Sequence, residues 1–304
     1  MLSIFSIQPR DFLLGCDIFS GKNNQDWGAT FFPGNNQVSA RFESAEGSGI
    51  GAFLMARNWT TYGAYLGFGL AAVALVLLAI SPLGWREGWW HFRFAFTWLM
   101  PYSGYIALTA AVVSLLVLAV GWSRLGRRGL MLAGIGLAAG AVLAYVPWQY
   151  DHRLKALPRI HDITTDTENP PTYVAALPAR AAENAAPASY PGPEIAEQQK
   201  AAYPDLAPLK VGLPPEQAFR QALDTANTMP DWSVVAADPA AGRIEARETS
   251  LWFRFTDDIV IRVAAETTGS RIDMRSESRQ GRSDFGVNAG RVRAYMAKLK
   301  RQLG

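Results

Sequence analysis

Cysteine is almost absent from this sequence, since Cys16 is the only one in 304 residues. A single thiol cannot form an intramolecular disulfide or a cluster of thiolate metal ligands. Because Cys16 lies near the N-terminus, the C-terminal half also has no cysteine nucleophile. An exported domain is still compatible with the sequence, because a domain of ordinary size folds without disulfides.

Charged residues are missing from three long stretches, 58–85, 94–123 and 129–150. Their apolar cores, 62–80, 102–122 and 130–148, each reach the ~20 residues that a helix needs to cross about 30 Å of hydrocarbon. The sequence therefore predicts three transmembrane helices within 55–150, with the lipid bilayer as a partner. Since no ionisable residue lies inside them, a proton relay or an ion path is disfavoured.

Short basic segments predict how these helices are oriented. The connection between the second and third helices contains three cations: Arg124, Arg127 and Arg128. The positive-inside rule places this connection in the cytoplasm, which puts the C-terminal domain in the periplasm of a bacterial inner membrane. Three cations that follow the third helix argue for the opposite orientation: Arg153, Lys155 and Arg159.

Residues 1–54 show no sustained helical or strand periodicity, and the sequence predicts an unstructured extension. They also lack the apolar segment and cleavage site of a secretory signal. Met55 directly precedes the first predicted helix, so translation from Met55 is a second hypothesis.

Proline is concentrated after the third helix, with ten of the eighteen prolines between Pro170 and Pro215. Because proline fixes φ and removes a hydrogen-bond donor, residues 151–213 are predicted to form an extended linker, with at most a short helix at 194–203. Tyrosines in this stretch offer side chains that could dock against a neighbouring domain.

Residues 214–304 are predicted to form a soluble α+β domain, with a four- to five-stranded antiparallel sheet and two helices on one face. Alternation assigns one set of side chains to the covered face: Ile244, Ala246, Ile259, Ile261, Val263, Ile272 and Met274. The other face carries polar and charged side chains, as expected of a sheet with one solvated face.

A cluster of arginines marks a candidate anion site. If Glu266 pairs with Arg271, then Arg262 faces Arg275, and two facing cations favour a bound anion. Arg279, Arg282 and Ser283 follow at the predicted start of the last helix, where free backbone N–H groups attract negative charge. The candidate site therefore comprises Arg262, Arg275, Arg279, Arg282 and Ser283. A ladder of surface salt bridges is the competing interpretation.

No catalytic residue, metal site or cofactor is predicted. Nucleophilic catalysis would require His161 to reach a serine such as Ser283. Nucleic-acid binding is disfavoured because the C-terminal half holds 20 cationic and 20 anionic side chains, without a basic excess.

Three ordered motifs resemble the domain-of-unknown-function family 1499. They are Ile160-His-Asp-Ile-Thr-Thr-Asp166, Thr249-Ser-Leu-Trp-Phe-Arg-Phe-Thr-Asp-Asp258 and the segment from Asp273 to Ala289. The resemblance covers about 160–304. It implies a bacterial membrane or exported protein and brings no assigned reaction.

These observations favour a membrane-anchored, non-catalytic envelope domain that binds an anionic ligand or a protein partner. Two alternatives remain open: a hydrolase acting on an envelope substrate through His161, and a structural subunit of a membrane complex.

Overall fold

The computed structural model describes the backbone of residues 43–303 and the side chains of residues 59–303. Residues 1–42 of the predicted extension lie outside the described residues, and the first helix begins at Glu43, twelve residues before the predicted boundary at 55. From Phe53 onward the chain forms one compact unit.

Four helices make up the N-terminal half: α1 (Glu43–Arg86), α2 (Phe92–Phe94), α3 (Met100–Gly121) and α4 (Arg127–Ala156). A π-helical segment, Ala95–Leu99, joins α2 to α3 without a break. Three helical stretches, 59–86, 92–121 and 127–156, are long and apolar enough to cross a membrane. The predicted N-terminal section of three apolar helices is confirmed.

Small residues allow α4 to approach its neighbours closely. A Cβ added to Gly140 would lie 2.7 Å from the Ala107 carbonyl oxygen of α3, and one added to Gly136 would lie 3.1 Å from the backbone of Gly67 in α1. Such short backbone separations are the usual role of glycine where apolar helices cross.

The C-terminal half contains six strands: β1 (Asp162–Thr164), β2 (Leu209–Val211), β3 (Trp232–Asp238), β4 (Arg243–Thr249), β5 (Thr256–Glu266) and β6 (Gly269–Ser278). The antiparallel order is β1-β6-β5-β4-β3, and β2 pairs with β6 beside β1. Four helices accompany the sheet: α5 (Leu177–Ala182), α6 (Pro193–Ala202), α7 (Pro215–Asn227) and α8 (Val287–Gln302). The predicted α+β class is confirmed.

The sheet is wider than predicted because β1 and β2 come from the stretch that was predicted to be a linker. Proline does not prevent this pairing, since neither short strand contains one. The outer edge of β1 is closed by a side chain: Gln199 accepts a hydrogen bond from the Thr164 N–H (3.0 Å) and donates one to the Thr164 carbonyl (2.7 Å). The Gln199 amide thus completes the β-ladder where a further strand is missing.

One sheet face packs against α7 and α8, as the alternation predicts. All seven assigned side chains are buried there, together with residues from both helices. The hydroxyl of Tyr295 in α8 donates to the Ala222 carbonyl of α7 at 2.9 Å, so this fully buried hydroxyl has a hydrogen-bond partner.

The prediction of a solvated second face is wrong. Glu245, Asp273, Arg275 and Glu277 point to that side and are all buried. The chain between 165 and 190 lies over them and contributes Tyr173, which packs with Ala176 and Val260. This segment can cover a charged face because Tyr173 packs against the apolar side chains there. Its Pro171 and Ala188 carbonyls accept hydrogen bonds from Arg275.

The predicted pairing of β5 with β6 is also wrong, by two residues. Glu266 lies opposite Gly269, so Arg262 faces Asp273 and not Arg275. The reason is a tighter turn than expected, with only Thr267 and Thr268 between the paired ends. Arg262 therefore meets an anion where a second cation was predicted.

The β4–β5 connection contacts the apolar helices of the N-terminal half. The ring centroid of Phe253 lies 4.7 Å from that of Phe96, and Phe255 lies 5.4 Å from Phe92. Phe253 is buried in a cluster with Leu78, Ala95 and Met100. The aromatic segment between the first two long helices is thus a docking surface for the C-terminal domain.

Candidate functional site

The second face of the sheet carries a buried layer of paired charges, which we call the ionic layer. Its cations are Arg180, Arg275 and Arg279, and its principal acidic side chains are Asp162, Asp258 and Glu277. Removing an ion from water costs several kcal/mol, so such a layer is stable only when each charge is paired and hydrogen-bonded.

Arg275 occupies the centre of the ionic layer and is 1% exposed. Its Nε and Nη2 atoms donate to the two carboxylate oxygens of Asp162, both at 2.8 Å. The remaining donors reach the carbonyls of Pro171 (3.2 Å) and Ala188 (2.9 Å), and the guanidinium lies 4.9 Å from the Tyr173 ring centroid. Arg275 is therefore buried, and each of its three nitrogens is bound to acceptors of the protein itself.

Arg279 is paired in the same way. Its Nε and Nη2 atoms donate to both oxygens of Asp258, at 2.9 and 2.7 Å, and Nη1 donates to Glu183 at 2.6 Å. Arg180 of α5 donates to Asp258 from its other side at 2.9 Å. The short helix α5 thus supplies a cation that the sequence analysis did not assign to any site.

Glu277 is an acid of the ionic layer whose pKa moves into the physiological range. It accepts from Arg180 at 2.6 Å and from Arg275 at 3.2 Å. Burial raises the pKa of the Glu277 carboxyl to about 8, and the nearby Asp162 charge adds to the rise, while Arg180 and Arg275 oppose it. Protonation of Glu277 is therefore accessible near neutral pH.

Glu245 fixes the start of α5 from beneath. Its carboxylate accepts three successive backbone N–H groups, those of Val174, Ala175 and Ala176, each at 2.9 Å. The first turn of a helix has no intrahelical acceptors for such N–H groups, and the Ala176 N–H is buried, so the carboxylate supplies acceptors that the backbone lacks here. The Glu245 carboxylate of β4 therefore holds in place the segment 165–190 that covers this sheet face, which we call the covering segment.

A second ionic cluster lies at the edge of this face. Arg262 donates to Asp166 (2.9 Å) and Asp273 (2.8 Å), and Arg271 donates to the same two acids. Burial would raise the pKa of Asp166, but hydrogen bonds from the Asn169 N–H and from Arg262, with the charge of Arg271, outweigh it and lower the pKa. The two acids neutralise both arginines.

The structure thus separates the predicted anion site. Three of its arginines, Arg262, Arg275 and Arg279, are held by carboxylates. Ser283 accepts a hydrogen bond from the Phe285 N–H at 3.3 Å and shapes the turn before α8. Arg282 alone is exposed and forms no ion pair among the residues whose side chains are described.

Arg282 lines a cavity of about 250 Å³ beside β1. A second arginine without an ion pair in the described part of the chain, Arg159, lies on the same cavity, as does His161. The other lining residues include three apolar side chains: Ile160, Pro191 and Ile195. Asp162 also borders the cavity, but both of its oxygens are bound to Arg275. The cavity therefore combines a cationic rim with an apolar wall.

His161 is oriented by the backbone. Its Nδ1 lies 3.1 Å from the Ser278 carbonyl oxygen, which can only accept, so Nδ1 carries a proton. Within the described residues no hydrogen bond joins His161 to a serine hydroxyl. The Ser–His arrangement required by the hydrolase hypothesis is not formed.

Metal ligation finds no support in the side chains from 59 to 303, where no group of three or more His, Cys, Asp or Glu residues could hold an ion.

Residues 162–299 match a family model described as "Protein of unknown function (DUF1499)". This confirms the resemblance inferred from the three motifs for that segment. The matched segment includes β1, the covering segment and α8, so it coincides with the sheet and both layers that cover it. The membrane helices precede it.

Two further comparisons add no function. The crystal structure of TTHA0849 from Thermus thermophilus is 16% identical, with 32% of this chain and 85% of that chain covered and a TM-score of 0.17. A search of curated proteins gives no match.

Proposed function

We propose that this chain is a membrane-anchored protein of the bacterial cell envelope whose C-terminal domain binds an anionic ligand and performs no catalysis. One observation carries the proposal: Arg159 and Arg282, which form no ion pair among the described residues, line the same cavity. Every other arginine of the predicted anion site is already neutralised by a carboxylate.

The chemistry of the cavity supports an anionic head group attached to a small apolar part. Two guanidinium groups suit the paired oxygens of a phosphate or carboxylate. Ile160, Pro191 and Ile195 offer an apolar wall to the rest of the ligand. The volume of about 250 Å³ is below that of most drug-sized sites, which favours a small ligand.

The proposed location is the inner membrane, with the domain on the periplasmic side. Arg124, between α3 and α4, and Arg127 and Arg128, at the start of α4, support this orientation through the positive-inside rule. Arg159 follows the end of α4 by three residues, so the proposed ligand would bind close to the membrane surface.

The test is anion binding by the full chain in an uncharged maltoside detergent, with inorganic phosphate and butyl phosphate as calorimetric probes. We expect Arg159→Gln with Arg282→Gln to weaken butyl phosphate binding at least about tenfold, since each charge-assisted hydrogen bond contributes roughly 1.5–3 kcal/mol. Butyl phosphate should bind more tightly than phosphate because of the apolar wall.

The matched control is Arg220→Gln with Arg301→Gln, which removes two exposed arginines that do not line the cavity. Binding should persist in the control. Equal affinities of the two double variants, or no measurable binding by the unchanged chain, would remove the basis of the proposal.

A further inference from the structure

The loop between β4 and β5 presents two apolar side chains to the outside of the protein. Leu251 is 81% exposed and Trp252 is 46% exposed, whereas the next residue, Phe253, is 4% exposed. Exposing a leucine and a tryptophan side by side is unfavourable in water, because each would gain roughly 1.5–3 kcal/mol or more on full burial.

The loop is closed by its own hydrogen bonds. The Ser250 N–H donates to the Phe255 carbonyl at 2.8 Å, and the Arg254 N–H donates to the Ser250 carbonyl at 3.1 Å. Arg254 has a φ of 56°, a left-handed conformation that turns the chain sharply. Leu251 and Trp252 are therefore held outward by a defined backbone.

The position of the loop relates it to the apolar helices. Phe253 packs against Phe96 and lies in one cluster with Leu78 and Met100, which belong to α1 and α3. Phe255 contacts Trp85 at the end of α1, with 6.0 Å between ring centroids. Leu251 and Trp252 thus emerge directly beside the helix ends, where a bilayer would surround the helices.

Other aromatic and basic side chains lie at the same end of the helices as Leu251 and Trp252. Trp89 and Trp98, at this end of the helices, are exposed, and tryptophan prefers the headgroup layer. Arg254 is exposed and forms no ion pair among the described side chains, so its charge is available to lipid phosphates.

We infer that Leu251 and Trp252 insert into the headgroup–acyl boundary of the bilayer beside the three apolar helices, with Arg254 at the lipid phosphates. The occupant of this apolar surface is lipid, because the surface is continuous with the contact between the domain and the helix ends. The loop then acts as an additional membrane contact that fixes the domain against the bilayer. The inference depends on the helices crossing a membrane and is independent of ligand binding at Arg159 and Arg282.

The test places a fluorescent label at the loop. Leu251→Cys is made in a Cys16→Ser background, where it is the only thiol. The full chain is labelled with an environment-sensitive fluorophore and reconstituted in nanodiscs of phosphatidylcholine and phosphatidylglycerol. Lipids carrying a nitroxide near the top of the acyl chain should quench this label strongly, and soluble iodide should quench it weakly.

The control is Ala240→Cys in the turn between β3 and β4, at the opposite end of β4 from the loop. Its label should show the reverse pattern, with several-fold weaker quenching by the lipid nitroxide. Equal lipid quenching at the two positions would overturn the inference. Protection from both quenchers at Leu251→Cys would also overturn it, since that result indicates contact with a second copy of the chain.

Discussion

The two faces of the C-terminal sheet are both buried, but they are buried by opposite chemistry. Beneath α7 and α8, the face consists of aliphatic side chains such as Ile261 and Met274. Beneath the segment 165–190, the face consists of charges, with Arg275 and Glu277 each 1% exposed. The first face stabilises the domain through removal of apolar area from water, at about 25 cal/mol per Å². On the second face, ion pairs and hydrogen bonds must first offset the free-energy cost of removing each ion from water.

This difference shows why a high density of arginine is a poor indicator of a binding site. A buried guanidinium whose three nitrogens are all bound to carboxylates and carbonyls of the protein is not accessible to a ligand. The ionic layer therefore has a structural role. Through Arg180 and Asp162 it fixes both the segment 165–190 and β1, and the cavity residue His161 directly precedes β1. The cations available for recognition lie at the rim, where Arg159 and Arg282 have no acidic neighbour bound to them among the described side chains.

The largest effect is expected from breaking the ionic layer at its centre. Arg275→Met keeps an unbranched side chain but removes the guanidinium, which leaves Asp162 and Glu277 buried without their shared cation. We expect the free energy of unfolding of the domain to fall by about 3–5 kcal/mol, as for other buried pairs that lose one member. Hydrogen-exchange protection of β6 peptides, in the full chain in detergent, measures this loss.

Arg293→Met is the matched control for that experiment. Arg293 also binds a single aspartate through two donors, Nε and Nη2 to Asp205 at 2.5 and 2.6 Å, but the side chains are 42% and 52% exposed. Exposed pairs contribute about 0–1 kcal/mol, so the loss should be several times smaller. Similar losses in both variants would show that burial does not distinguish the two pairs.

The two sheet faces should also differ in how their stability depends on pH. The ionic face contains Glu277, whose burial brings its pKa near neutrality. The pKa of Glu277 is raised to about 8 in the folded protein, above its unfolded value of about 4.3. Folding therefore takes up a proton at this group. Its contribution is greatest below the unfolded pKa and is lost as the pH rises toward 8, with a slope of up to about 1.4 kcal/mol per pH unit.

Glu277→Gln separates this contribution from other titrations. Unfolding of the unchanged chain and the variant is compared between pH 5 and pH 9 in the same detergent. The stability difference between them should change with pH up to about 8 and become constant above it. A difference that stays constant from pH 5 would contradict a raised pKa for Glu277.

The apolar face could be predicted from the sequence because it depends on a local pattern. Strand residues alternate with a period of two, so Ile259, Ile261 and Val263 identify their face without knowledge of their neighbours. Helix α7 was predictable for the same reason, from apolar residues at helical spacing after Pro215. The membrane helices were the simplest case, since an apolar run of 20 residues without charge is rare in a soluble domain.

The ionic face could not be predicted because its pairs are distant in sequence. Asp162 and Arg275 are 113 positions apart, and nothing near either residue specifies the other. A two-residue error in one turn was enough to place Arg262 opposite the wrong partner. Of the final cavity, Arg282 and the presence of His161 in the matched motif could be read from the sequence. In the sequence, Arg159 served only as evidence on membrane orientation, and nothing there predicted that it lines a cavity.

The smallest effect on the free energy of unfolding is expected from removing the hydroxyl of Tyr173, a residue of the covering segment. Tyr173 donates to the Asp258 carbonyl at 3.1 Å, and its ring lies under the guanidinium groups of Arg275 and Arg180, at 4.9 and 5.4 Å. Tyr173→Phe removes the hydrogen bond and keeps the ring, so it should cost about 0.5–1.5 kcal/mol. Tyr173→Leu also removes the cation–π contacts and should cost about 1–2 kcal/mol more. Unfolding in detergent measures both variants. If Tyr173→Leu were as stable as Tyr173→Phe, Tyr173 would stabilise the domain only by burying apolar area. Both faces of the sheet would then be covered through the hydrophobic effect.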